Sequence, residues 1–217
     1  MTSDAVATRR IGLLGGSFDP PHLAHLALGR LAQQALALDE LRWLPAGAPW
    51  QKAGRVLAPA THRIAMLAAL LGGEAGCVID PRETRRTGAT YTIDTVRELQ
   101  QEHHHDGSTD WFLILGQDQY ARFDTWRDWP ELLQRLTLAV AGRAGQVPQA
   151  PAALAAVAQR CVVLDLPALA ISASTIRQRL AAGLPVATLV GTAVARYIDQ
   201  HRLYTSGLPG NPQDNGH

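Results

Sequence analysis

A chain of 217 residues, 47% hydrophobic and 18% charged, can bury a sizeable core, and that balance excludes charge-driven disorder. A net charge of +1, with arginine spread in short clusters such as Arg85-Arg86, lacks the basic stripe of a duplex-binding protein, so no nucleic-acid partner is expected. The N-terminal MTSDAVATRR lacks the features of a secretory signal, and the longest apolar run, 64–71, is far shorter than a membrane span. A cytoplasmic protein with no membrane partner is expected. Cys77 and Cys161 each sit in an apolar segment and read as buried thiols of a reducing compartment, with no chemistry assigned.

In chain order, apolar runs rich in Val, Ile and Leu at 11–14, 41–44, 78–79, 111–115, 136–141 and 161–164 alternate with helical patterns at 23–36, 61–71, 92–102, 130–135 and 151–159. Near-continuous apolarity suits strands buried on both faces, which predicts an α/β fold with a doubly wound parallel sheet. Beyond Leu166 only helices are expected, at 174–182 and 188–200, separated by AGLP. The His103–His105 triplet at a helix end is read as a solvated terminus without function.

The turn after the first strand reads GGSFDPPHLAH. In open parallel sheets ligands sit beyond the carboxyl ends of strands, near the point where strand order reverses. Gly15 and Gly16 lack a Cβ, so their backbone N–H groups can approach an anion, and the next helix points its positive end at the same spot. The spacing matches neither G-x-G-x-x-G nor the P-loop, which disfavours hydride transfer and P-loop hydrolysis. His22 and His25, three apart, share one helix face and can both donate to a phosphate chain. Taken alone, such a pair more readily pads or caps the helix start, and the glycine pair and prolines beside it turn the reading toward function; without further ligands it makes a poor zinc cage.

GGSFDPPHLAH resembles the signature of the nucleotidyltransferases marked by H-x-G-H, in the form found in bacterial nicotinate-nucleotide adenylyltransferases. The resemblance runs over about residues 10–204: LPAGAPWQK, THRIAMLAAL, TRRTGATYTIDTV, LGQDQYARFDTWRDW, ISASTIRQRL and VARYIDQHRLY are each similar to a family segment. It departs in Ala24 for the motif glycine, in Gln117 between Gly116 and Asp118, and in Ala173-Ser174 for Ser-Thr. It implies a Rossmann-like domain over 9–166, with 167–205 as a helical part of the same catalytic unit and frayed tails at 1–8 and 206–217.

The resemblance also implies roles. ATP would be held by Gly15, Gly16, Ser17, Phe18, His22, His25, Gly116, Asp118, Ile171, Ser174 and Arg177, and the mononucleotide by Lys52, Thr90, Trp126 and Arg127. His22, His25, Lys52 and Arg177 would stabilise charge during transfer. Each has a plainer reading: Lys52 as a solvated lysine, Asp118 and Thr92 as helix caps, Ser172 as a cap, Tyr91 and Trp129 as packing. The implied reaction moves AMP from ATP to nicotinate mononucleotide, giving deamido-NAD and pyrophosphate, with Mg²⁺ brought by ATP. The partners are these small molecules, with a homodimer left open. A phosphopantetheine adenylyltransferase and a non-catalytic nucleotide sensor are the rival readings.

Overall fold

Six of the apolar runs assemble side by side in a single parallel sheet. The computed structural model describes residues 8–49, 57–103, 108–142 and 146–205, which leaves both tails, Lys52, His104 and His105 outside the described residues. The strands are β1 (Arg9–Gly16), β2 (Glu40–Pro45), β4 (Cys77–Ile79), β6 (Thr109–Gly116), β7 (Thr137–Ala141) and β8 (Cys161–Leu164), and their spatial order is β4-β2-β1-β6-β7-β8. Every neighbouring pair is parallel. The order reverses between β1 and β6, so the doubly wound topology puts a crevice at the carboxyl ends of those two strands. Two short strands missed in the sequence, β3 (Ala48–Pro49) and β5 (Ala89–Thr90), form a separate parallel ladder.

Residues alternate along each strand, so each face of the sheet carries its own core. Ile11, Leu13, Trp111, Leu113, Leu115, Leu138 and Val140 pack on one side, where Ile93, Val96 and Leu99 of α3 (Thr92–Glu102) and Leu132 and Leu133 of α5 (Trp129–Arg135) cover them. Leu14, Trp43, Phe112 and Ile114 face the other side, under α1 (Leu23–Ala35) and α2 (Ala60–Leu71). The C-terminal helices α7 (Ala173–Ala181), α8 (Ala187–Val190) and α9 (Thr192–Gln200) close the same face through Ile176, Val190, Val194 and Ile198. Burial of these apolar side chains is the main driving force for the assembly. Among the described residues no helix is long and apolar enough to cross a membrane.

Four expectations need correction. The helix expected over 188–200 is split at Gly191, whose φ of 85° with ψ of 154° is a conformation open to glycine alone. The helix expected over 151–159 is only α6 (Ala152–Ala155), because Leu154 is its one buried residue and the chain turns back to enter β8. The cap of α3 is Tyr91, with Thr92 already inside the helix. The cysteines are not both buried: Cys77 is half-buried and Cys161 exposed. Both lie on the outermost strands, and only the strand order, which no local pattern encodes, makes β4 and β8 edges. His103 ends α3 against the Trp111 ring, with Nε2 3.2 Å from Arg42 Nη2.

Candidate active site

The crevice at the reversal point is a cavity of about 830 Å³, well sized for a nucleotide pair. Its floor is the turn after β1. Gly15, Gly16, Ser17, His22, Ala24 and His25 line it. A Cβ on Gly15 would meet nothing within 4 Å, so a side chain there would project into open space. Within the turn Phe18 adopts φ 46°, in the left-handed region, and the Asp19–Pro20 peptide is cis. The Phe18 ring does not reach the cavity; it lies beneath Gly16 and against His25 and Trp43, at 5.1 Å and 5.7 Å between centroids.

The two histidines act as a unit. His22 is the N-cap of α1, and its backbone N–H donates to His25 Nδ1 at 3.2 Å, the reach-back of a third-position side chain to a cap. Because His25 Nδ1 accepts that bond, the proton of the neutral ring sits on Nε2, the nitrogen suited to donate to a phosphate oxygen. Capping and anion binding are therefore compatible roles. The rings stack at 3.7 Å, and burial lowers the His22 pKa from 6.5 to about 4, keeping that imidazole neutral at physiological pH. Among the described residues His22 Nδ1 is buried with no hydrogen-bond partner.

β1 lies between β2 and β6, so the cavity has two sides. On the β6 side it is lined by Gly116, Gln117 and Asp118, by Ala141 and Gly142 at the end of β7, and by the 166–172 segment with Ile171 and Ser172. Gln117 pins a neighbouring loop there: Nε2 donates to the Gln149 carbonyl at 3.1 Å and Oε1 accepts from its N–H at 3.0 Å. Asp118 lies within α4 (Gln117–Tyr120) rather than capping it. At the start of α7 the cap is Ser172, whose Oγ accepts from Thr175 N at 3.2 Å. Ser174 Oγ lies 2.9 Å from Ser172 Oγ, and Ser174 is not among the residues lining the cavity.

On the other side stand Ala46, Glu83, Thr90, Tyr91, Thr92, Trp126 and Arg127. Among the described residues Thr90 Oγ1 and Trp126 Nε1 are buried with no hydrogen-bond partner, and the Arg127 guanidinium rests over the Tyr91 ring at 4.7 Å. Trp126 packs tilted against Phe123 at 5.2 Å between centroids, and Trp129 packs against the core. Glu83, not foreseen in the sequence, accepts from Thr95 Oγ1 at 2.8 Å, and burial raises its carboxyl pKa. Gly47 passes so close to this segment that a Cβ would overlap the Glu83 carbonyl oxygen.

Arg177 is not in the wall either. Its guanidinium donates to the Asp19 carbonyl, and its Nη1 lies 3.8 Å from Asp19 Oδ2. Asp19, Arg63 and Tyr204 are the further residues the sequence reading missed at this site. The two charged ones, Asp19 and Arg63, are each 2% exposed beneath the turn. Among the described residues no group of three His, Cys, Asp or Glu side chains forms a metal cage.

A parallel sheet reversing over a glycine turn, with a histidine pair at the following helix, is the arrangement expected of the nucleotidyltransferases that the motif resembles. The family description Cytidylyltransferase-like matches residues 13–179. A protein of Methylibium petroleiphilum named "Probable nicotinate-nucleotide adenylyltransferase" is 50% identical over 213 residues, covering 96% of this chain and 99% of its own. One of the same name from Bordetella pertussis is 48% identical over 199 residues, covering 90% and 98%. The Plasmodium falciparum nicotinic acid mononucleotide adenylyltransferase solved with NaAD superposes with a TM-score of 0.73 at 17% identity, over 90% of this chain and 97% of that one, a likeness of fold. The chain belongs to the nicotinate-nucleotide adenylyltransferase family within the cytidylyltransferase-like nucleotidyltransferases.

Proposed function

We propose that the cavity aligns ATP and nicotinate mononucleotide for direct adenylyl transfer, the reaction of NAD biosynthesis that gives deamido-NAD and pyrophosphate. The observation that carries this reading is the stacked histidine pair over an open glycine turn, in a cavity with room for two nucleotides. A phosphate oxygen of the mononucleotide attacks the α-phosphorus, the bond to the pyrophosphate oxygen breaks, and pyrophosphate leaves in line. No protein nucleophile is needed, since both reactants arrive as anions and the work is positioning and charge neutralisation.

We assign the triphosphate to Gly15, Gly16, Ser17, His22 and His25, with the His25 Nε2–H as donor. Gly116, Asp118, Ile171 and Ser172 form the adenosine side, with Ser172 taking the place first given to Ser174. Thr90, Trp126 and Arg127 form the mononucleotide side: the Trp126 ring offers a face to the pyridine, and the unpartnered Thr90 hydroxyl offers a hydrogen bond. Lys52 and Arg177 are assigned to phosphate charge. Mg²⁺ fits as an ion carried by ATP, because the described residues supply no cage of their own. When bound it withdraws charge from the phosphates. Residues 9–166 and 167–205 act as one catalytic unit, in the cytoplasm. Any homodimer would use the exposed β8 edge, where Val163 is 53% exposed.

Mixing the protein with ATP, Mg²⁺ and nicotinate mononucleotide should release pyrophosphate and form deamido-NAD. Release with phosphopantetheine alone would reassign the acceptor, and no release with any acceptor would favour a nucleotide sensor.

A further inference from the structure

Beneath the glycine turn lies a buried charge cluster that no local motif announces. Asp19 Oδ1 accepts from the Tyr204 hydroxyl at 2.8 Å and from the Ala58 N–H at 3.2 Å. Arg63 donates from Nε to the Ala58 carbonyl at 2.9 Å and from Nη1 to the Ser17 carbonyl at 2.8 Å, tying α2 to the turn. Arg177 reaches the same aspartate from α7, with its Nη1 3.8 Å from Oδ2. Arg177 thus lies at ion-pair distance from this carboxylate, and Arg63 acts on it by charge from its place beneath the turn. Burial pushes the Tyr204 hydroxyl far above its ordinary range, so it stays a donor at working pH, and burial also lowers the Arg63 pKa.

A buried carboxylate stripped of its partners is costly, and a cation shared with it is correspondingly hard to move. Asp19 avoids this dependence. Its Oδ1 bonds come from Tyr204 and a backbone N–H, with Arg63 nearby, whereas Arg177 lies 3.8 Å from Oδ2 and donates its hydrogen bond to the Asp19 backbone carbonyl instead of to the carboxylate. The guanidinium of Arg177 can thus leave for a stronger anion while Asp19 remains hydrogen-bonded. We infer that Asp19 stores the Arg177 guanidinium for delivery to the ATP phosphates, and that Tyr204 and Arg63 are positioning residues that keep Asp19 satisfied when it leaves. This inference rests on the assignment of Arg177 to ATP made above. It gives the C-terminal segment a part in the reaction, because Tyr204 lies 185 residues from its partner and touches neither substrate side.

The test is a double-mutant cycle on the full chain, read as the Kd of a non-hydrolysable ATP analogue by calorimetry, with the mononucleotide KM and the melting temperature measured alongside. Tyr204→Phe removes one hydrogen bond to a charged acceptor, so Asp19 holds Arg177 more firmly and the analogue's Kd should rise about tenfold. The mononucleotide KM should not change. In an Arg177→Ala background the same substitution should change the Kd less than about twofold. Additive losses in the double variant, equal rises for both substrates, or a lowered melting temperature with unchanged Kd would each overturn the inference. An unchanged Kd in Arg177→Ala alone would overturn it at its root, by removing Arg177 from ATP, and Arg177→Ala with a raised Kd beside an inert Tyr204→Phe would overturn the storage step only.

Discussion

The buried imidazole of His22 couples the stability of the fold to acid. Burial takes its pKa from 6.5 to about 4, so as pH falls below 6.5 the unfolded chain binds a proton that the folded one refuses. The stabilisation from a neutral His22 is complete above the unfolded value and is lost between there and about pH 4. At roughly 1.4 kcal/mol per pKa unit, the full shift is worth about 3 kcal/mol, of which about 2 kcal/mol is already lost at about pH 5. His22→Asn removes the titrating group and keeps a residue able to cap α1. Urea unfolding of both proteins at about pH 7.5 and about pH 5 isolates the contribution, because the other titrating groups largely cancel in the difference. The parent should lose about 2 kcal/mol more than the variant. Equal losses would mean that the His22 ring is solvated and that the dry packing of the histidine pair is wrong.

Three other outcomes follow from the same geometry. His25→Ala should lower kcat by about a hundredfold or more, beyond what the lost cap bond to His22 costs in stability, since it also removes the Nε2–H donor; near-normal turnover would take the residue out of the reaction. Trp126→Ala should raise KM for the mononucleotide and leave that for ATP alone, and an effect confined to ATP would reverse the two sides of the cavity. Gly47→Ala forces a methyl group into the Glu83 carbonyl, so the denaturation midpoint should fall by the equivalent of about 1–3 kcal/mol, and an unchanged midpoint would refute that close approach.

Much of the site could be read from local sequence, because its central device is local. Gly15, Gly16, His22 and His25 fall within one turn and its following helix, and the cap bond between the histidines spans three residues. The six strands were equally plain as apolar runs, though burial on two faces explains only the central four, β1, β2, β6 and β7. What stayed hidden depends on distant partners. Ser17 meets Arg63 across 46 residues and Asp19 meets Arg177 across 158, so Arg63 read as one more helical arginine and Tyr204 as part of a closing helix. Phe18 looked like a ligand contact by its place in the motif, yet its left-handed backbone turns the ring under the turn. The exposure of Cys161 and the short α6 follow from an edge position that exists only once the strands are ordered.

The central claim is that the turn after β1 carries the polyphosphate of ATP while a second nucleotide lies on the Thr90 and Trp126 side. A crystal structure with a non-hydrolysable ATP analogue and nicotinate mononucleotide tests it most directly. The account predicts phosphate oxygens on the Gly15–Gly16 backbone and within about 3 Å of His25 Nε2, with the pyridine ring on Trp126. Triphosphate density elsewhere, with this turn and its histidines untouched, would contradict it.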